Sequence, residues 1–242
     1  MKKVIVFLTV CFSFMSSICS AEDFETSVSI DYMSKYLGSA GAVYENKPVV
    51  QPCLSISHSS GFYANLWGSV GTVNEDGDEL DYIAGWTGDV GGGFKANVGV
   101  GYWDFQKMFS GREDNVWNVF AEISHKLITD VDWYVKTDTY FPEPGSCFEG
   151  GFAQYLGVRT QKEKIFGFEK LSANSDMYIA YDDGAFGTQP CASFQYRLGV
   201  NYAITDKLTI GPKFAISAPF SPEKDDAREF EVVWGLGASY TF

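Results

Sequence analysis

The chain closes on Val232–Phe242, VVWGLGASYTF. Counting back from the end, Phe242, Tyr240, Ala238, Leu236, Trp234, Val232 and Phe230 fall on one side of an extended chain. Thr241, Ser239, Gly237, Gly235 and Glu231 fall on the other, with Val233 the single misfit. Successive side chains of a strand point to opposite faces, so this strand has one apolar face and one small, polar face. A water-soluble sandwich would turn the apolar face into a core, and a membrane barrel would turn it into lipid. Periodicity alone does not choose between them.

The same pattern recurs along the chain. About twelve extended segments are read, at 24–37, 48–58, 61–73, 79–88, 93–106, 115–127, 131–142, 147–162, 171–183, 190–204, 208–220 and 229–242, each near the ~10 residues a membrane strand needs. The connections discriminate better than the strands. Even-numbered ones are tight: HSSG at 58–61, TGDVGG at 87–92, LITD at 127–130 and ITDK at 204–207, with only QKEKIFGFEK at 161–170 longer. Odd-numbered ones are longer or more acidic: GSAGAVYENK, NEDGDE, QKMFSGRED, FPEPGS, DDGAFGTQ and SPEKDDARE. Short turns at one end and long loops at the other, with an even strand count, are the layout of an outer-membrane barrel. The expected fold is therefore an all-β, transmembrane, antiparallel up-and-down barrel.

Aromatic residues of the apolar parity sort by height. Trp86, Phe94, Trp133, Tyr202, Tyr240 and Phe242 lie near the short turns, while Tyr36, Trp117, Phe141, Phe220 and Phe230 lie near the long loops. Two such belts match the interfacial girdles of membrane barrels.

The opening, MKKVIVFLTVCFSFMSSICSA, has Lys2 and Lys3, an apolar run from Val4 to Met15, and a small-residue cleavage site at Cys19-Ser20-Ala21. This reads as a secretory signal over 1–21, with one barrel domain over 22–242. Ile18 before Cys19 is branched, which disfavours a lipoprotein signal. Removing Lys2 and Lys3 leaves 16 basic residues against 31 acidic ones, a net charge of −15, which repels nucleic acid. The 14 Tyr, 20 Phe and 25 Gly suit a strand-rich, turn-rich chain. No CxxC or Cys/His cluster suggests zinc, and no cofactor is expected. Of Cys53, Cys147 and Cys191, either Cys147 pairs with Cys191 or all three stay unpaired.

The opposite parity carries the charges and is the expected lumen lining: Lys35, Lys95, Lys136, Arg159, Arg197 and Lys213 beside Asp31, Asp81, Glu122, Asp138, Glu149, Asp176 and Glu231. A lysine or arginine facing lipid at mid-bilayer costs about 2–4 kcal/mol, so these belong inside. Six basic and seven acidic positions either line a water-filled pore or pair into a ladder that blocks it, Glu122 with Lys136 being a candidate pair. Much of the negative excess sits in NEDGDE and SPEKDDAREFE, loops that either favour cations, bind divalent ions or are simply solvated.

Residues 34–87 resemble the opening of the TorF-like family of outer-membrane porins of Gram-negative bacteria. The resemblance rests on Ser34-Lys35-Tyr36, Pro48-Val49-Val50-Gln51-Pro52, Gly61-Phe62-Tyr63, Trp67 and Glu79-Leu80-Asp81-Tyr82. Leu37-Gly38 stands where family members carry an Arg-Gly pair. The resemblance implies a barrel that admits solutes and supplies no catalytic residues. The ending also looks like the assembly signal of outer-membrane proteins, with Trp234, Leu236, Tyr240 and Phe242 read by the insertion machinery.

The leading functional expectation is a porin-like channel for passive diffusion of small hydrophilic solutes, embedded in the lipid bilayer of the outer membrane. The second is a non-conducting structural or adhesive barrel. A lipid-modifying enzyme needs a nucleophile, a base and an orienting group. Only His58 and His125 are present, both near short turns, and no G-x-S-x-G stretch occurs. An exported soluble β-sandwich is the remaining alternative.

Overall fold

The computed structural model of the chain describes residues 23–73, 78–105, 115–144, 148–185, 190–220 and 228–242. The segment read as a signal lies outside them. The strands, in chain order, are β1 (Phe24–Met33), β2 (Tyr36–Leu37), β3 (Val43–Glu45), β4 (Val49–His58), β5 (Phe62–Gly71), β6 (Glu79–Gly91), β7 (Phe94–Asp104), β8 (Asn115–Ile128), β9 (Val131–Pro142), β10 (Gly151–Glu163), β11 (Leu171–Asp182), β12 (Cys191–Ala203), β13 (Leu208–Pro219) and β14 (Glu231–Thr241). All but β2 and β3 form one closed antiparallel barrel in which each strand pairs with its sequence neighbours and β14 closes against β1. Closure sets Val28 opposite Tyr240 and Ile30 opposite Ala238, so every strand of the described barrel is paired on both sides. The terminal strand VVWGLGASYTF is thus the seam of the cylinder.

The outside is apolar and the inside polar. Val100, Val119, Val135, Leu156, Ile179 and Leu236 share the outward parity, and each is more than 40% exposed. A water-soluble protein rarely leaves so continuous an apolar surface uncovered; a lipid-facing one requires it. Among the described residues, outward strand positions hold no Asp, Glu, Lys or Arg except Asp104 and Lys162, each at or next to a strand end. The start of β1, the end of β14 and the short turns share one end of the barrel, and the strand ends that flank the odd-numbered connections share the other. Phe94, Tyr202 and Tyr240 mark the first end, and Trp117, Phe141, Phe220 and Phe230 the second.

Three boundaries differ from the sequence reading for physical reasons. Strand β6 runs on to Gly91, so the turn is not TGDVGG but Gly92-Gly93; a bulge at Val90 and three successive positive-φ glycines from Gly91 reverse the chain. The poorly phased segment 147–162 becomes regular only from Gly151. The first strand ends at Met33 rather than at residue 37, and GSAGAVYENK is not a surface loop. It supplies the turn and second strand of the β2–β3 hairpin, whose Tyr36, Leu37 and Glu45 are buried inside the cylinder. Tyr36 therefore leaves the outer aromatic belt to which alternation assigned it.

Candidate functional site: the barrel lumen and its hairpin

Side chains on the inner wall reach across strands, and inward glycines give them room. Tyr63 on β5 donates to Asn97 on β7 at 2.7 Å, crossing β6 at Gly85. Tyr134 on β9 donates to Asp176 on β11 at 2.9 Å, crossing β10 at Gly157. Lys213 on β13 reaches Asp31 on β1 at 2.5 Å, crossing β14 at Gly237. A Cβ on Gly85 would meet the Tyr63 ring at 2.6 Å, one on Gly157 the Tyr134 ring at 2.8 Å, and one on Gly237 the Lys213 Cε at 2.7 Å. Any larger residue there would displace the bridging side chain.

The other charged positions sort as follows. Arg159 pairs with Glu122 across β9, its guanidinium lying 4.2 Å from the centre of the Tyr134 ring. Lys136 pairs with Asp138 on its own strand at 2.9 Å and lies over the rings of Phe120 and Tyr155. Glu122 and Lys136 stand directly opposite in register, yet the ion pair read between them is not the one made. The long planar guanidinium stacks on Tyr134 and takes the carboxylate, while the ammonium turns to the nearer Asp138. Asp81 is buried beside Glu79 on β6. Lys95 stands inward near the turn end of β7, opposite Asp89 and Ser124.

Two positions are not on barrel strands. Lys35 lies between β1 and the hairpin and bonds Glu231, the first residue of β14, at 2.7 Å. Glu149 is exposed in the connection before β10. At the terminal strand, Trp234, Leu236 and Tyr240 face outward, and Phe242 packs on Tyr240 and against Leu54.

The hairpin is fastened to opposite walls. Arg197 on β12 donates to the carbonyls of Leu37 at 3.3 Å and Gly38 at 3.0 Å. The Tyr178 hydroxyl donates to the Ser39 carbonyl at 3.0 Å, Ser193 donates to the Ala40 carbonyl at 3.0 Å, and the hydroxyls of Ser39 and Tyr155 meet at 3.0 Å. Gly41, at φ +93°, passes so close to the wall that a Cβ would stand 2.6 Å from both Gln195 and Ser217. On the far side, the Tyr36 hydroxyl donates to Glu79 on β6 at 2.5 Å and its ring packs on Trp67 of β5. Burial, followed by the Glu79 and Asp81 carboxylates, pushes the Tyr36 phenol well above its ordinary value. The Tyr44 phenol is raised too, by burial and by Glu79 and Asp182. Both are held as neutral hydroxyls.

Under the hairpin lies a cavity of about 370 Å³ whose walls include Ser39, Asn118, Tyr155, Asp138, Arg159 and Asp176. A second, of about 360 Å³, opens toward the short-turn end between Lys126, Asp130, Asp132 and Asn174, and is also bounded by Arg159 and Asp176. Charged and hydrogen-bonding groups therefore face the lumen from the hairpin to that mouth, beside Ile83, Trp103 and Phe120 in the first cavity.

Sequence reasoning missed the hairpin, although one signal pointed to it. Val233, the misfit of the closing strand, is 1% exposed on the inner wall and packs with Ala215 and Leu37. It is the apolar seat for the hairpin. The inward tyrosines Tyr134, Tyr140, Tyr155 and Tyr178 were missed too; they form a buried cluster to which Ala40 of the hairpin adds.

Both histidines sit by short turns: His58 bonds Ser60 at 2.6 Å and packs on Phe24, and His125 packs on Phe94. Cys53 is a free thiol of the inner parity, 3.6 Å from the Ser55 hydroxyl. Cys147, and with it the pairing read to Cys191, lies outside the described residues. So do residues 74–77 and 221–227, where most of the acidic-loop and divalent-ion expectation falls.

A family model described as "Bacterial protein of unknown function (Gcw_chp)" matches residues 19–219. No protein of curated function matches the sequence. Among solved structures, the KdgM porin superimposes with a TM-score of 0.58 at 10% identity, covering 89% of this chain and 99% of its own. The NanC porin gives 0.56 at 8% identity, covering 89% and 98%. An outer-membrane channel from Pseudomonas putida F1 gives 0.55 at 11% identity, covering 92% and 97%. These likenesses establish the fold as that of outer-membrane porins. The chain belongs to the Gcw_chp family.

Proposed function

We propose that this Gcw_chp-family barrel is a passive channel of the TorF-like porin type, exported by its amino-terminal signal and admitting small hydrophilic solutes through the outer membrane of a Gram-negative bacterium. One observation carries the reading: two cavities of about 370 and 360 Å³, each bordered by charged side chains, adjoin at Arg159 and Asp176 on the inner wall and lead from the hairpin to the short-turn end. Water and polar solutes are accommodated by such a wall, whereas the outer surface suits hydrocarbon. Short connections then face the periplasm and long ones the exterior. The KdgM porin, described in complex with disordered oligogalacturonate, is a precedent for a hydrophilic solute in this fold.

In this reading the lumen residues act as wall rather than as chemistry, and the hairpin narrows the exterior half. The acidic connections favour cations at the mouth and offer sites for divalent ions. Trp234, Leu236, Tyr240 and Phe242 serve as the address recognised by the assembly machinery. The test is swelling of liposomes containing the folded barrel in solutes of increasing size. Rapid swelling in small polar solutes and none in large ones is expected.

A hairpin that touches both walls also favours a second reading, a non-conducting structural barrel. Folded barrels that leave liposomes impermeable to every solute would establish it instead.

A further inference from the structure

The geometry points to Arg159 as the residue that sets the charge selectivity of the lumen; this rests on the channel reading above. The two cavities share two lining residues at the inner wall, Arg159 and Asp176.

The charges there are not equally presented. The Arg159 side chain is 40% exposed, while that of its partner Glu122 is 10% exposed. Asp176 has its Oδ1 occupied by the Tyr134 hydroxyl. A passing ion therefore meets the guanidinium first. Glu122 and the Tyr134 ring hold that guanidinium in place, so it is a fixed charge rather than a swinging one. Register extends the pattern. Asp132, Arg159, Asp176 and Arg197 stand directly opposite one another on four adjacent strands, with alternating sign. Because barrel strands tilt, such a row runs obliquely along the wall. It leads from the short-turn mouth, where Asp132 lines the second cavity, to Arg197 beneath the hairpin. Within the row, Arg159 is the basic group that borders both cavities.

Lys213 provides a contrast. Its side chain is 36% exposed and paired to Asp31, much as Arg159 is paired to Glu122. It borders neither cavity. If lumen charge acted without regard to position, the two ion pairs would count alike.

The test measures reversal potentials of the full mature barrel in planar bilayers under a potassium chloride gradient. Arg159→Gln is expected to raise the cation-to-anion permeability ratio about threefold to fivefold, the effect of one unit charge a few ångströms away in water. The double variant Glu122→Gln with Arg159→Gln leaves no orphaned carboxylate, so it guards against misfolding, and it should shift the ratio in the same direction. Asp31→Asn with Lys213→Gln should leave the ratio unchanged. Unshifted Arg159 variants in a conducting barrel overturn the inference alone, as does an equal shift from the Asp31 and Lys213 pair. A folded native barrel that carries no current overturns it together with the channel reading.

Discussion

The Tyr134 hydroxyl donates to Asp176 two strands away, at 2.9 Å, because the intervening position on β10 is Gly157. The bond belongs to the wall itself and ties β9 to β11 without using the backbone ladder. Tyr134→Phe removes the donor from a partly buried carboxylate and should cost about 1–3 kcal/mol. Gly157→Ala drives a Cβ to 2.8 Å from the same ring and should cost a similar, overpacking penalty of about 1–3 kcal/mol. Urea unfolding in lipid vesicles measures both. The two effects should be non-additive in the double variant, since both act on one side chain.

The hairpin is held mainly through its backbone carbonyls. Arg197→Met withdraws the donor from Leu37 and Gly38, and Gly41→Val forces both a clash and an unfavourable φ of +93°. Each variant should free the hairpin and enlarge the current through single barrels while the heat-modifiable migration of the folded cylinder persists. An unchanged current in both would mean that the hairpin does not limit passage.

Alkali should loosen the same element. The Tyr36 and Tyr44 phenols are raised by burial and by neighbouring carboxylates, so the folded state binds their protons more tightly than the unfolded chain does. Their stabilising contribution is intact below the ordinary tyrosine value of about 10 and is lost as pH rises through the folded values. Current through the native barrel is expected to grow above about pH 10. Tyr36→Phe, which has no proton to lose, should show a smaller rise.

The inside-out arrangement is open to chemical labelling. Cys53 is of the inner parity on β4, whereas Leu156 of β10 is 59% exposed on the outer face. With Cys147 and Cys191 replaced by Ser, a charged, water-soluble thiol reagent should modify Cys53 in the membrane-embedded barrel. Leu156→Cys, in a background with Cys53 also replaced, should react only with a lipid-soluble reagent. Mass spectrometry reads out both.

The cylinder was legible in the sequence because its rule is local. Along β12, Phe194, Tyr196, Leu198 and Val200 alternate with Gln195, Arg197 and Gly199, and the structure keeps that register from end to end. The lumen was less legible because its partners are remote. Parity puts Arg159 inward but does not say that it passes Lys136 to reach Glu122, which depends on the Tyr134 ring beneath it. Nor does periodicity distinguish a tyrosine in an outer belt from one turned inward. Tyr36 obeys the alternation of β1 until Ser34, where the chain leaves the wall and bonds back to the Trp234 carbonyl. What alternation did offer was its own exception, Val233, since an apolar residue on a polar wall requires an apolar partner inside.

The central claim is that water and small solutes cross a closed cylinder whose oil faces outward. Single-barrel current in a planar bilayer tests it most directly, using protein first shown to be folded by its heat-modifiable migration. Discrete, uniform steps that persist at constant voltage are predicted. A folded, inserted barrel that passes no current at any voltage would contradict the account.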